Sequence, residues 1–356
     1  MPARWAARFA LFFAVTAVAV AVQRPVYGQG AMEKVKVTYV DRKDGKVYSQ
    51  REYDLKKESA SGLEVMVVKD LKFIPSADII RVDYTVPGIT ADQIAAAMKE
   101  EAEEPAKAAK RYGDLQKTPG IPPRAKRYLE YREAVSTAKI ADSKTGEEFK
   151  AEAQKAIKLL GNFAKNDSWE AWAATRQAAR YQMELDDFKG AADTLGALAG
   201  NKALSKELAT EALIAQGAAM LRAGDVGGAA SVAKDAKAAA TGTLKQRAEA
   251  LELAAKIAKG SEGTSKPKEA MDLEKALLTT ITDPMARALG YGLLGHVYKT
   301  YGLKRDAMWA YLWVDVVNNQ DRDEELLAVK NLADIFGDVG EADRAVQYKE
   351  KLPKVR

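Results

Sequence analysis

From residue 32 onward the apolar and polar positions first alternate. "VKVTYV" (residues 35–40) places valine or tyrosine at every second position, "DRKDGK" breaks the run, and "VYSQREYDL" resumes it. Period two on both sides of Asp44-Gly45 predicts a β-hairpin with its turn at that pair. "KKESASG" marks a second polar turn, and the apolar pieces "LEVMVVKD" and "LKFIP" follow. In "SADIIRVDY" the first three residues read as one helical turn ahead of a last strand. Five short strands within residues 32–86 predict a small N-terminal five-stranded β-barrel, because closure removes the unpaired edges that an open sheet of this size would leave.

At Thr90 the period changes to that of helices. Thr90 is a suitable N-cap for "ADQIAAAMKEEAEE", and alanine stays frequent nearly to the end of the chain. Pro105 and "KTPGIPPR" (residues 117–124) interrupt the pattern. Prolines remove backbone donors and clash with the preceding turn, so this second segment separates a connecting helical region at 90–117 from a main helical array at 124–352.

Within the array an alanine recurs after a charged or polar turn, at Ala191, Ala229, Ala270, Ala307 and Ala345, with intervals of 38, 41, 37 and 38 residues. Ala179, Gly217, Gly295 and Ala333 stand twelve positions before four of these. In the remaining unit Ala255 stands fifteen before Ala270, the extra residues falling in the loop "GSEGTSKP". Small side chains at such spacing belong where two antiparallel helices cross closely. Gly224, Gly302 and Gly340 occupy the matching turn position, as a left-handed residue ending the first helix of each pair would. In the clearest unit Leu294, Gly295, Tyr298, Gly302, Ala307 and Tyr311 follow one another in the order leucine-glycine, aromatic, glycine, alanine, aromatic. This order resembles the tetratricopeptide repeat, although the period is longer than that family's 34 residues and Asn319 stands where the family often has proline. The resemblance implies an all-α solenoid of helical hairpins and, with the strands ahead of it, a multidomain α+β chain.

Ahead of the strands, Arg4 and Arg8 precede a fourteen-residue, largely apolar stretch from Phe9 to Val22, and Val26 and Gly28 are the small positions before an expected cleavage after Gly28. Charged start, short apolar core and small residues predict a signal peptide at 1–28 and an exported protein of the bacterial periplasm or cell envelope. Left uncleaved, the same segment would be a signal-anchor, the one expected contact with a membrane. Removal of Arg4, Arg8 and Arg24 with the leader lowers the net charge from +5 to +2. Such a balance lacks the cationic excess by which nucleic-acid binders displace counterions. Cysteine is absent, so neither disulfides nor thiol chemistry enters.

Candidate chemistry is sparse. "GYGLLG" (residues 290–295) has the GxGxxG order, but a dinucleotide cradle needs a strand before it and an acid about twenty residues on at the end of a second strand; "DPMARAL" and "DAMWAYLWVDVV", on either side, read as helix. Four glutamates in "KEEAEEP" (residues 99–105) read as a solvated helix face rather than an acid–base pair. The acids in "NNQDRDEE" suit N-capping better than calcium, and "GSEGTSK" reads as a flexible loop, not a phosphate loop. Trp309 and Trp313, four apart among other apolar residues, predict core packing. His296 is the sole histidine and cannot by itself build a zinc site of the usual kind. No catalytic, cofactor or metal residue is expected.

The repeat register directs Arg176, Arg180, Arg222, His296, Lys299 and Lys330 to the concave surface, diluted by Glu184 and Asp334. A non-enzymatic scaffold or adaptor follows as the expectation, holding a protein or peptide partner, with an acidic segment suited to the cationic set. The competing expectation is a cell-envelope module whose β-domain docks to wall polymer or an envelope complex.

Overall fold

The computed structural model describes residues 33–42, 45–86, 88–259 and 268–356. The expected leader lies outside these residues, as do Asp44 of the first turn and the whole "GSEGTSKP" loop. Strands β1 (Glu33–Asp41), β2 (Lys46–Ser59), β3 (Gly62–Val67), β4 (Asp70–Pro75) and β5 (Ile79–Tyr84) form one antiparallel sheet in the order β4-β3-β2-β1-β5. The turn at Ser76–Asp78 is a single turn of 3-10 helix, as its sequence predicts.

The sheet is not a closed barrel. β4 pairs with β3 and β5 with β1, and β4 and β5 remain as the two edges. What closure would have done is done by helices: Val35, Val37, Leu63, Val65 and Ile74 share a core with Ala97, Ala108, Tyr112, Tyr128 and Leu129. The alternation in β1 is real, with Val35, Val37 and Tyr39 all buried. It turns these residues toward that helical cover rather than toward an opposite barrel wall.

Fourteen helices follow among the described residues. α1 (Ala91–Glu103) starts from a capping box in which Thr90 and Gln93 exchange side-chain-to-backbone bonds. α2 (Pro105–Leu115) begins at Pro105, whose missing N–H costs nothing at a first helical position. α3 (Pro123–Asp142) begins beyond the proline-rich segment. Then come α4 (Gly146–Phe163), α5 (Ala171–Glu184), α6 (Phe188–Ala199), α7 (Lys206–Arg222), α8 (Val226–Ala239), α9 (Thr243–Lys259), α10 (Lys268–Thr279), α11 (Pro284–Thr300), α12 (Lys304–Leu312), α13 (Arg322–Asp338) and α14 (Ala342–Val355). Each packs on its neighbour in sequence across a short connection, which makes consecutive helices antiparallel. Among the described residues no helix is long and apolar enough to cross a membrane.

The small residues sit where the helices meet. Ala179, Ala191, Ala229, Ala255, Ala270, Ala307, Ala333 and Ala345 are buried. A Cβ on Gly217 would come within 2.6 Å of Leu251, and one on Gly295 within 2.8 Å of the Tyr311 ring. Gly224, Gly302 and Gly340 all have positive φ. After Gly302 the Leu303 N–H reaches back to the Tyr298 carbonyl at 2.9 Å, the longer bond of a Schellman motif.

The array curls until α13 meets α5. Leu327 of α13 packs among Ala179, Met183 and Ala191, and Arg356 donates to Glu184 at 2.9 Å while its guanidinium lies 3.6 Å over the Phe149 ring.

Candidate functional site

The six residues that the repeat register directs to the concave face fall on the inner helices α5, α7, α11 and α13. Their charges are answered from within the chain. Arg176 on α5 donates to Asp323 at 3.1 and 3.2 Å and to Glu211 at 3.4 Å. Arg180, one turn on, donates to Asp142 at 2.6 Å and stands 3.7 Å from Glu184. Arg222 at the end of α7 is buried and bound to Glu324 at 2.5 Å. Lys299 reaches Asn331 at 2.7 Å, and Lys330 reaches both the Glu184 carbonyl and Asp186, at 2.8 and 2.6 Å. His296 is half-buried, edge-on to Phe188 with ring centres 6.1 Å apart. Burial, aided by the Arg222 and Lys299 charges, pushes its imidazole down to about 4.

Among the recesses between these helices, two share Arg222. The first has Ala179, Met183, Leu195, Ile214, Ala215, Ala218 and Leu289 as walls. Arg176, Glu211, Arg247 and Asp323 border it with Trp172. Arg247 stands 3.9 Å from Glu211 and 3.7 Å from Asp283, so its charge too has carboxylates beside it. The second recess is lined by Asp186, Phe188, His296, Lys299 and Tyr311. Arg222 belongs to the walls of both.

Acids that the sequence assigns only to helix capping complete the first recess. Asp321 does cap α13, accepting from the N–H groups of Asp323 and Glu324. The same turn delivers Asp323 to Arg176 and Glu324 to Arg222 across a gap of more than a hundred residues. Burial pushes the Glu324 carboxyl up to about 7, with Arg222 opposing and Asp321 adding to the rise. No local pattern in "DRDEE" distinguishes an exposed capping turn from one that docks on a distant helix, which is why these residues are missed.

"GYGLLG" lies in the middle of α11, between helices. Each glycine faces a different neighbour. A Cβ on Gly290 would meet Leu277 of α10 at 2.5 Å, one on Gly292 would overlap the Glu324 carboxylate from α13, and one on Gly295 would press on Tyr311 of α12. The motif is a three-way packing face.

Two expectations are corrected. Glu100 and Glu101 are not on a solvated face; both are buried. Hydrogen bonding to Arg111 holds the Glu100 carboxyl down, to about 2, and Glu101 is bound by Arg132 and Lys139 at 2.6 and 2.8 Å. Their partners come from α2 and α3, elements that fold back over the α1 face. Trp309 and Trp313 are not core residues but 56% and 40% exposed, and Val316 and Val317 beyond them are exposed as well. The buried stripe of α12 is Ala307, Ala310 and Tyr311, continued by Val314 in the π-helical turn Trp313–Val317, and helical spacing puts Trp309 and Trp313 on the opposite face. Trp313 keeps one face covered by stacking on Tyr291 at 5.5 Å.

Among the described residues no three His, Asp or Glu side chains converge as metal ligands do. No protein-family model matches the chain. No curated protein matches it with significance either, so the residues themselves carry the functional argument.

Proposed function

We propose that this chain is an exported, non-enzymatic scaffold whose helical array holds a short segment of a protein partner in the recess between α5, α7 and the first turn of α13. One observation carries the reading: a recess with apolar walls bordered by charges that already compensate one another. A recess of this kind takes up an aliphatic or aromatic side chain by burial, while the polar rim offers hydrogen bonds to the main chain on either side of it. The mutual pairing of Arg176, Glu211 and Asp323 favours an apolar segment over an acidic one, because an incoming carboxylate would have to displace one already bound.

The test is fluorescence polarisation of labelled heptapeptides carrying a central leucine, glutamate or lysine. The leucine peptide should bind most tightly, and Ala215→Trp, which fills the recess, should weaken it at least about tenfold. Equal binding of all three peptides, or indifference to Ala215→Trp, would refute the assignment.

A further inference from the structure

Four consecutive residues ahead of α5 fasten the helical array to the sheet. Asp167 accepts the Ala60 N–H at 2.7 Å, and Trp169 Nε1 donates to the Tyr84 hydroxyl at 3.3 Å. Between them, Ser168 Oγ lies 2.7 Å from Glu58 Oε1 and 2.6 Å from Glu170 Oε2. Ser168 and Glu170 are 1% and 3% exposed, and the Glu58 side chain 4%.

A serine hydroxyl has one proton to donate and lone pairs to accept with. Flanked by two carboxylates, it can donate to only one. The other contact, at 2.6–2.7 Å, is a hydrogen bond only when that carboxyl group carries a proton of its own. Arg124 Nε, a cation, stands 3.5 Å from Glu58 Oε2. Glu170 has no ion-pair partner among the described residues. The groups facing it are Glu58 from β2, Tyr84 from β5, and Tyr128, Tyr131 and Arg132 from α3. The arrangement that makes both contacts hydrogen bonds has Glu170 donating to Ser168 and Ser168 donating to Glu58.

We propose that Glu58, Ser168 and Glu170 form a proton-dependent clasp that holds residues 167–170 against the sheet while Glu170 is protonated and loosens when that proton passes to solvent. Its loss leaves two buried carboxylates on one hydroxyl that can donate to only one of them. The environment agrees: burial, then the Glu58 charge, push Glu170 up from its ordinary 4.5 to about 8, against the opposing pull of Ser168 and Arg132. Because the folded value is raised, the stabilisation is complete below the unfolded carboxyl range and is lost as pH rises through about 8.

Denaturant unfolding of the full chain and of Glu170→Gln across this range tests the clasp. Glutamine keeps a donor toward Ser168 at every pH. The ratio of the wild-type unfolding constant to that of the variant should therefore rise about tenfold per pH unit between about pH 5 and about pH 8. Parallel curves would overturn the proposal. Hydrogen exchange of the Ala60 amide in the wild type gives a second reading that needs no variant. Its protection, corrected for intrinsic rate, should fall more than about tenfold from about pH 6 to about pH 9, and constant protection would equally overturn it.

Discussion

Gly292 shows how one missing side chain can carry an electrostatic arrangement: any Cβ there would overlap Glu324, which reaches across α11 to Arg222. Breaking such a pair from one side strands a charge in the interior. Arg222→Ala should cost about 3–5 kcal/mol, and adding Glu324→Gln should recover much of it, both measured by urea unfolding. Gly295→Val presses two methyl groups toward the Tyr311 ring and should cost about 2–3 kcal/mol in the same assay. His296 supplies a probe that needs no mutation, since the chain has one histidine. Burial lowers its folded value to about 4, so the stability it contributes is present above its unfolded value of 6.5 and is lost as pH falls through about 4. A nitrogen-correlated NMR spectrum at about pH 5.5 should still show a neutral imidazole. A protonated ring at that pH would mean that the site is wet.

Helix ends and helix faces were legible in the sequence to different degrees. The capping residues Thr90 and Asp321 and the glycines at 224, 302 and 340 act where local chemistry says they must, because a cap is satisfied by neighbours three or four residues away. Asp186 takes the equivalent left-handed position after α5, with φ of 60°, and Lys330 holds its carboxylate. Gly302→Ala should cost about 1–2 kcal/mol, the strain of a Cβ in that conformation, readable as a drop in the urea midpoint. The outward turn of Trp309 is not legible from apolarity alone, since the stripe that packs inward is Ala307, Ala310, Tyr311 and Val314, on the other face of the helix. As an exposed residue, Trp309 should tolerate replacement by lysine within about 0.5 kcal/mol. A loss of several kcal/mol would return it to the core.

Across the whole molecule, the order of elements follows from the chain and the closing contacts do not. Alternation predicts strands over 32–86, but whether five strands close on themselves or accept a helical cover depends on where Tyr112 and Tyr128 arrive from α2 and α3. In the same way, the repeat register selects the inner helices for Arg176, Arg222 and Lys330, yet nothing local says that α13 will return to meet α5 with Asp323, Glu324 and Leu327. Lys330→Ala combined with Arg356→Ala removes bonds of that seam without touching the α7–α11 core. Amide exchange should rise in α13 and α14 and stay unchanged in α9 and α11.

The meeting of α13 with α5 also fixes the number of hairpins. A straight stack of helical pairs tolerates duplication or loss of a unit, because each pair answers only to its neighbours. Here the insertion of one extra pair anywhere between Arg176 and Asp323 would carry the two residues apart and uncover Ala179 and Met183 together. The recess therefore depends on the number of helical pairs between these two residues as well as on the side chains that line it.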